Sequence, residues 1–139
     1  MATTALLDRP HRLTALKALY VYTIVGAGAT GLWMLFAPHS FAAAFAITGA
    51  DPYLLGMVGA VDTAFAAVAI VGLREPARFA PVFLLQLVYK SLWLLVVVAP
   101  RVVHGGVPGP AWLTAAVFAS YIVLDVIALP FASLFSRAG

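Results

Sequence analysis

Residues 81–100 read PVFLLQLVYKSLWLLVVVAP, a stretch in which Lys90 has apolar residues on both sides. About 18 consecutive, mostly apolar residues are enough for a helix to cross a bilayer. An ionisable group at the bilayer centre costs about 2.5 to 3.5 kcal/mol, so a helix retains one where a partner, a water-filled cavity or a function compensates. The stretch therefore predicts a membrane-spanning helix with a structural or functional site at Lys90.

Three further stretches of similar length and composition predict three more spans. The predicted spans cover about residues 18–37, 53–73, 79–99 and 111–129. Prolines at their ends fit this assignment, because proline lacks the N–H that a helix interior needs. The intervening segment SFAAAFAITGAD, residues 40–51, is too short to cross and is predicted to form a short interfacial helix. The expected fold is all-α: an integral membrane four-helix bundle forming a single transmembrane domain over residues 1–139.

The composition excludes several classes of protein. Hydrophobic residues make up 64% of the chain and charged residues only 9%, whereas about 25% is charged in an ordinary soluble domain. The basic residues are not interleaved with exposed aromatic residues, so nucleic acid is not an expected partner. The chain has no cysteine, which excludes disulfides, thiolate metal sites and cysteine nucleophiles. His39, His104 and Asp51 match no compact metal motif, and the sequence predicts neither a metal nor a cofactor.

The positive charges predict the orientation. Lysine and arginine near the ends of spans favour the cytoplasmic side. One side of the predicted topology carries Arg9, Arg12, Lys17, Arg74, Arg78 and Arg137, and the other carries Arg101. Both termini are therefore expected in the cytoplasm, in a multi-pass protein of the cell inner membrane. The first apolar stretch is longer than the 7 to 15 residues of a signal-peptide core, which favours an uncleaved N-terminus over cleavage near FAAAFA.

Three ionisable residues are expected deep in the membrane. Asp62 and Asp125 are the single carboxylates of the second and fourth spans, and Lys90 is the single cation of the third. At a rise of 1.5 Å per residue, Asp62 and Lys90 lie at nearly the same level and are predicted to pair. Asp125 lies about 7 to 8 Å nearer the cytoplasm, level with Gln86, which is one helical turn below Lys90.

These residues predict a polar column inside the bundle. Its expected catalytic residues are Asp62, Lys90 and Asp125; its expected ligand-binding residues are Gln86, Tyr89, Ser91 and Tyr121, with Ser120 at a similar height. One interpretation is an ion pair that only fixes helix register. The other is a functional site: one lysine cannot neutralise two carboxylates, so the remaining carboxyl is expected to be protonated and to act as a general acid or proton carrier.

Small residues at four-residue spacing predict close helix packing. They are Gly26 and Thr30 in the first span, and Gly56, Ala60 and Ala64 in the second. Such spacing places small side chains on one helix face and lets two backbones approach.

Two segments carry a family resemblance. The end of the first span, GLWMLFAP at residues 31–38 followed by Phe41, and the second span with Gly56 and Gly59 resemble the DoxX-like and related small bacterial four-helix membrane proteins. The resemblance covers most of the chain and implies the four-helix fold. Members of that group are linked to quinone-associated redox complexes or have no assigned role. Asp62, Lys90 and Asp125 match no functional motif of the group.

Three functions fit the sequence. The leading hypothesis is a site in the bundle interior, formed by Asp62, Gln86, Lys90 and Asp125, for a lipophilic small molecule or quinone, with acid-base chemistry such as isomerisation or cyclisation. The second is a proton-coupled small transporter acting as a homodimer. The third is an accessory subunit of a larger, quinone-linked membrane complex. All three place the chain in a lipid bilayer.

Overall fold

The chain is helical throughout its regular structure. A computed structural model describes residues 10–135, and every regular element in that range is a helix. The elements in chain order are α1 (Pro10–Phe36), α2 (Pro38–Ala44), α3 (Pro52–Gly72), α4 (Pro76–Phe79), α5 (Pro81–Leu92), a π-helical turn (Trp93–Val98), α6 (Ala99–Val103), α7 (Gly109–Ala128) and α8 (Phe131–Phe135). Arg9 and Arg137, which contribute to the predicted orientation, lie outside the described residues.

Four helices are long and apolar enough to cross a membrane. They cover His11–Phe36, Pro52–Gly72, Pro76–Val103 and Gly109–Ala128. This confirms the prediction of a multi-pass, all-α membrane protein. The segment between the first two spans also contains the expected short helix, α2. The helices do not begin and end where the apolar stretches do: α1 already begins at Pro10, and its first turns carry Arg12 and Lys17.

Prolines occupy the first position of several helices. Pro38, Pro52 and Pro81 each occupy the first position of a helix, where the N–H that proline lacks would have no intrahelical partner. At the start of α3, the carboxylate of Asp51 accepts a hydrogen bond of 2.7 Å from the backbone N–H of Tyr53. This side-chain cap satisfies one of the free N–H groups at the helix start.

The third spanning helix continues past its expected end at Pro100. Backbone bonding changes to the π pattern over Trp93–Val98, and α6 then carries the helix to Val103. The N–H of Ala99 bonds to the carbonyl of Leu94. Arg101 donates from Nη1 to the carbonyl of Val97 at 2.8 Å. The helix therefore continues through Pro100, with the guanidinium of Arg101 supplying an additional donor to a carbonyl of this turn.

The helix then ends in a glycine turn. Gly105 has a φ of 71°, a left-handed conformation that glycine adopts without steric cost. The N–H of Gly106 bonds to the carbonyl of Arg101 at 2.9 Å, and that of Gly105 to the carbonyl of Val102 at 3.2 Å. This is the pattern of a Schellman C-cap. The connection of α6 to α7 is therefore an irregular loop over residues 104–108, shorter than the loop predicted for residues 101–110.

Helices α1 and α3 are antiparallel and their backbones touch. A Cβ added at Gly31 would lie 2.8 Å from the carbonyl oxygen of Gly59, and a Cβ added at Gly59 would lie 2.8 Å from that of Gly31. The predicted small-residue face of α3 is therefore wrong. Gly56 has no atom within 4 Å of its Cβ position, and Ala60 and Ala64 are exposed.

Helix α1 packs against both α3 and α7, and α7 also packs against α5. An apolar cluster joins these helices at the end of the structure that carries Arg12, Lys17, Arg74 and Arg78, here called the basic end. The fully buried members of this cluster include Leu16, Leu19, Tyr20, Phe83 and Leu129. Tyr20 also donates a 2.9 Å hydrogen bond to the carbonyl of Pro76, which holds the turn between α3 and α5 against α1.

The contact between α1 and α3 predicts opposite effects for two glycine substitutions on α3. Gly59→Ala places a methyl group against the backbone of α1 and should lower the free energy of unfolding by about 1 to 3 kcal/mol. Gly56→Ala meets open space and should stabilise the helix by about 0.5 to 1 kcal/mol. Unfolding in detergent, followed by circular dichroism, measures both. Equal effects of the two changes would contradict this packing.

Candidate functional site

Lys90 is buried among aromatic rings. Its side chain is only 2% exposed. The ammonium lies 4.7 Å from the ring centroid of Tyr89, 5.0 Å from that of Phe118 and 4.0 Å from that of Tyr121. All three distances are within the range of a cation–π interaction, in which the negative face of a ring attracts the cation. The ammonium also donates a 2.7 Å hydrogen bond to the Tyr89 hydroxyl.

The predicted ion pair between Asp62 and Lys90 is not formed in the structure. Among residues 10–135, Arg78 and Glu75 make the only contact within 4.0 Å between a basic and an acidic side chain, at 3.2 Å. Lys90 nevertheless interacts electrostatically with both Asp62 and Asp125. Instead of pairing with each other, the Lys90 ammonium donates to the Tyr89 hydroxyl and the Asp62 carboxyl accepts from Thr30 of α1.

Asp62 lies where α3 packs on α1. Its Oδ2 accepts a 3.4 Å hydrogen bond from the hydroxyl of Thr30, which also donates to the carbonyl of Gly26 at 2.9 Å. The Asp62 side chain is only partly buried, whereas Asp125 is fully buried. The two carboxyls therefore differ in accessibility, and Asp62 is the one that a molecule dissolved in the membrane can approach.

Tyr121 connects α7 to α1 beside Lys90. Its hydroxyl donates a 3.0 Å hydrogen bond to the carbonyl of Tyr22. Its ring stacks on the ring of Tyr22 with centroids 4.3 Å apart, and the Tyr22 hydroxyl shares a 2.8 Å hydrogen bond with Ser120. The hydroxyl of each of the two stacked tyrosines makes a hydrogen bond, so the Tyr121 ring next to Lys90 has a defined position.

Buried polar side chains lie between Lys90 and the basic end. Gln86 and Asp125 are fully buried, as is Thr23 on α1. Among residues 10–135, both amide atoms of Gln86 and both carboxyl oxygens of Asp125 have no hydrogen-bond partner, and the hydroxyl of Thr23 lies near that of Tyr121. Leaving a buried polar group unpaired costs about 1 to 3 kcal/mol. Several unpaired groups in one region therefore require an explanation.

The structure brings most of the predicted site residues together. Tyr89 and Tyr121 contact Lys90, while Gln86 and Asp125 each lie one turn away from these contacts on α5 and α7. Ser91 is partly buried, and no hydrogen bond within the described part of the chain joins it to these side chains. Ser120 bonds to Tyr22 and to the carbonyl of Val117 instead of contributing a free hydroxyl.

Three features of the site were not predicted. Phe118 contributes a ring to the surroundings of Lys90, and Thr23 adds a buried hydroxyl. A π-helical turn also begins at Trp93, three residues after Lys90. π-helical turns are rare and often occur at functional sites. The spacing of Thr23 from Leu16 and Tyr20, at seven and three residues, is the sequence signal that places it on the same buried face.

The arrangement offers a cation with hydrogen-bonding capacity in apolar surroundings. The ammonium of Lys90 provides donors and is surrounded by aromatic rings, and the partly buried Asp62 provides a carboxyl that interacts with it electrostatically. A carboxyl and an ammonium near each other can exchange a proton with a bound molecule and stabilise the charge that develops on it.

No known protein family, curated protein or solved structure matches this chain. The assignment of a function therefore depends on the geometry around Lys90.

The contact between Tyr121 and α1 predicts a rescue between two substitutions. A Cβ at Gly26 would overlap the Tyr121 hydroxyl, while the nearest ring carbon would still be 3.5 Å away. Gly26→Ala should therefore destabilise the protein by about 1 to 3 kcal/mol. In a Tyr121→Phe background the overlap is gone, so the same change should cost much less. A double-mutant cycle measured by thermal unfolding gives the coupling energy, and additive effects would contradict the contact.

Proposed function

We propose that this chain is an inner-membrane protein whose interior binds a lipophilic small molecule at Lys90. The observation that carries the proposal is an ammonium that is 2% exposed, surrounded by three aromatic rings and in contact with no carboxylate of residues 10–135. Charged side chains inside membrane helices are costly, and they mark substrate or ion sites when they are not simply paired. The absence of a direct ion pair favours a ligand site over a register device.

The surroundings of Lys90 define the chemistry of the ligand. An ammonium donates hydrogen bonds and accepts none, so the ligand needs a carbonyl, hydroxyl or carboxylate oxygen at one end. The rings of Phe118 and Tyr121 and the apolar helix surfaces favour an apolar remainder. A quinone with a hydrocarbon tail fits both requirements. The DoxX-like resemblance of the first two spans, with its link to quinone-associated complexes, points to the same class.

Asp62 is the acid-base group of this proposal. It is partly accessible and interacts electrostatically with Lys90. In an isomerisation of an unsaturated ketone, the Asp62 carboxylate takes a proton from the saturated carbon between the carbonyl group and the C=C bond. The electron pair of the broken C–H bond moves towards the carbonyl oxygen, where the Lys90 ammonium balances the negative charge. Asp62 then returns the proton to a different carbon, which leaves the ligand isomerised and the protein unchanged.

Lys90→Met tests the ligand site. A short-tailed ubiquinone analogue should bind the detergent-solubilised protein and quench its tryptophan fluorescence, because Trp93 packs against Phe118. Lys90→Met should weaken this binding at least about tenfold, the equivalent of one charge-assisted hydrogen bond. It should leave the unfolding midpoint unchanged or raise it, because it replaces a buried charge without a carboxylate contact by an apolar side chain of similar length.

Lys17→Met is the matched control, since Lys17 is exposed on α1. This substitution removes the same charge. The Lys17→Met variant should bind the quinone analogue with the affinity of the unchanged protein. Binding that survives Lys90→Met would contradict the ligand site. A large loss of stability in Lys90→Met, restored by adding Asp62→Asn, would instead identify the two residues as a register device.

The proposed orientation has both termini in the cytoplasm, with the basic end facing inwards. The chain has no cysteine, so single cysteines can be introduced at exposed positions without background. A membrane-impermeant maleimide added to intact spheroplasts should label Ala43→Cys and His104→Cys. It should not label Glu75→Cys until the membrane is opened. Labelling of Glu75→Cys alone in intact cells would show the inverted orientation.

A further inference from the structure

Three polar side chains, Thr23 on α1, Gln86 on α5 and Asp125 on α7, are fully buried between Lys90 and the basic end. Within residues 10–135 the polar side-chain atoms of Gln86 and Asp125 have no hydrogen-bond partner, and the hydroxyl of Thr23 lies near that of Tyr121. We propose that this polar layer binds a small monovalent alkali cation such as Na⁺. The proposal concerns a different ligand from the lipophilic molecule at Lys90 and does not depend on it.

The apolar contact below the layer fixes two of its members. The rings of Tyr20 and Phe83 pack with centroids 4.5 Å apart. Thr23 follows Tyr20 by three residues and Gln86 follows Phe83 by three residues, so each lies on the same helix face one turn further on. Both helices run in the same direction from this contact, which places Thr23 and Gln86 at the same height.

The aromatic contact above the layer fixes the third member. Lys90 lies 4.0 Å from the ring of Tyr121. Gln86 precedes Lys90 by four residues and Asp125 follows Tyr121 by four residues. Because α5 and α7 run in opposite directions, both steps lead towards the basic end and onto the inward face. Asp125 and Gln86 therefore share the height that the Tyr20–Phe83 contact gives to Thr23.

The layer offers the oxygen ligands that alkali cations prefer. It contains a carboxylate, an amide carbonyl and a hydroxyl, and hard cations take oxygen donors of these kinds. The described residues contain no group of three or more His, Cys, Asp or Glu side chains arranged to hold a metal ion. With a single carboxylate in the layer, a monovalent cation is neutralised and a divalent cation is not.

Charge balance supports the same conclusion. The ionisable side chains that interact here are Asp62, Lys90 and Asp125. In their charged forms two carboxylates face one ammonium, which leaves one negative charge in apolar surroundings. A monovalent cation removes that excess. A proton on Asp125 would also remove it, but a proton occupies one oxygen, whereas a cation can be coordinated by Asp125, Gln86 and Thr23 together.

The site is closed towards the basic end. Leu16, Tyr20 and Phe83 have no exposed surface, and Leu129 is 2% exposed. A cation that reaches the layer is therefore occluded there, and it should exchange slowly because these apolar side chains have to move first.

Thermal unfolding in different salts tests the proposal. At constant pH and ionic strength, replacing choline chloride by NaCl should raise the unfolding midpoint of the full chain by about 5 °C at saturation, because the cation binds only the folded state. Asp125→Asn and Thr23→Val should each abolish this rise. Thr63→Val is the matched control, because the Thr63 hydroxyl bonds to the Gly59 carbonyl of its own helix, and it should retain the rise.

Retention of ²²Na⁺ by the purified protein provides a readout that does not require an Asp125 variant to be stable. The unchanged chain and Thr63→Val should retain the isotope, and Thr23→Val should not. Equal unfolding midpoints in NaCl and choline chloride, with no ²²Na⁺ retained, would overturn the proposal. A midpoint that then depends on pH in the unchanged chain but not in Asp125→Asn would assign the proton instead. Quinone binding is measured separately, so either site can fail without the other.

Discussion

The backbone contact between α1 and α3 determines where the other helices can lie. Because Gly31 and Gly59 have no side chains, the two helices approach until their backbones touch. The rest of the α1 surface is then left for α5 and α7, and it carries the carbonyl of Tyr22, which accepts the hydrogen bond from Tyr121 of α7. Tyr22 of α1 stacks on Tyr121 of α7, and Tyr121 in turn lies beside the ammonium of Lys90. A wider separation of α1 and α3 would move each of these contacts.

Polar side chains are arranged in successive layers along α1. Thr30 meets Asp62, Gly26 makes room for the Tyr121 hydroxyl beside Lys90, and Thr23 lies level with the unpartnered groups on α5 and α7. Carboxylates thus lie on both sides of a single ammonium without touching it. Neither carboxylate is therefore neutralised by a direct contact with Lys90, whereas a direct ion pair would have saturated one of them.

The sequence predicted the helices better than it predicted their faces. Apolar length alone identifies four spanning helices, because a bilayer demands about 20 apolar residues from each. The packing face of α3 could not be chosen in this way: Gly56, Ala60 and Ala64 have the expected spacing, but Gly59 makes the contact. The hydrogen-bond partner of Lys90 could not be predicted from the sequence either, because the ammonium donates to the Tyr89 hydroxyl and not to Asp62. The burial of Gln86 and Asp125 agrees with their predicted place inside the bundle, whereas their common level remains a prediction from helix rise.

The π-helical turn after Lys90 has a mechanical consequence. Each π bond spans one residue more than an α bond, so the turn at Trp93–Val98 rotates all that follows it relative to Lys90. The helix is wider and less regularly bonded there than on either side. Trp93, the first residue of the turn, packs against Phe118 with ring centroids 5.1 Å apart. A change in the pairing of this turn would therefore shift a ring that borders the ammonium of Lys90.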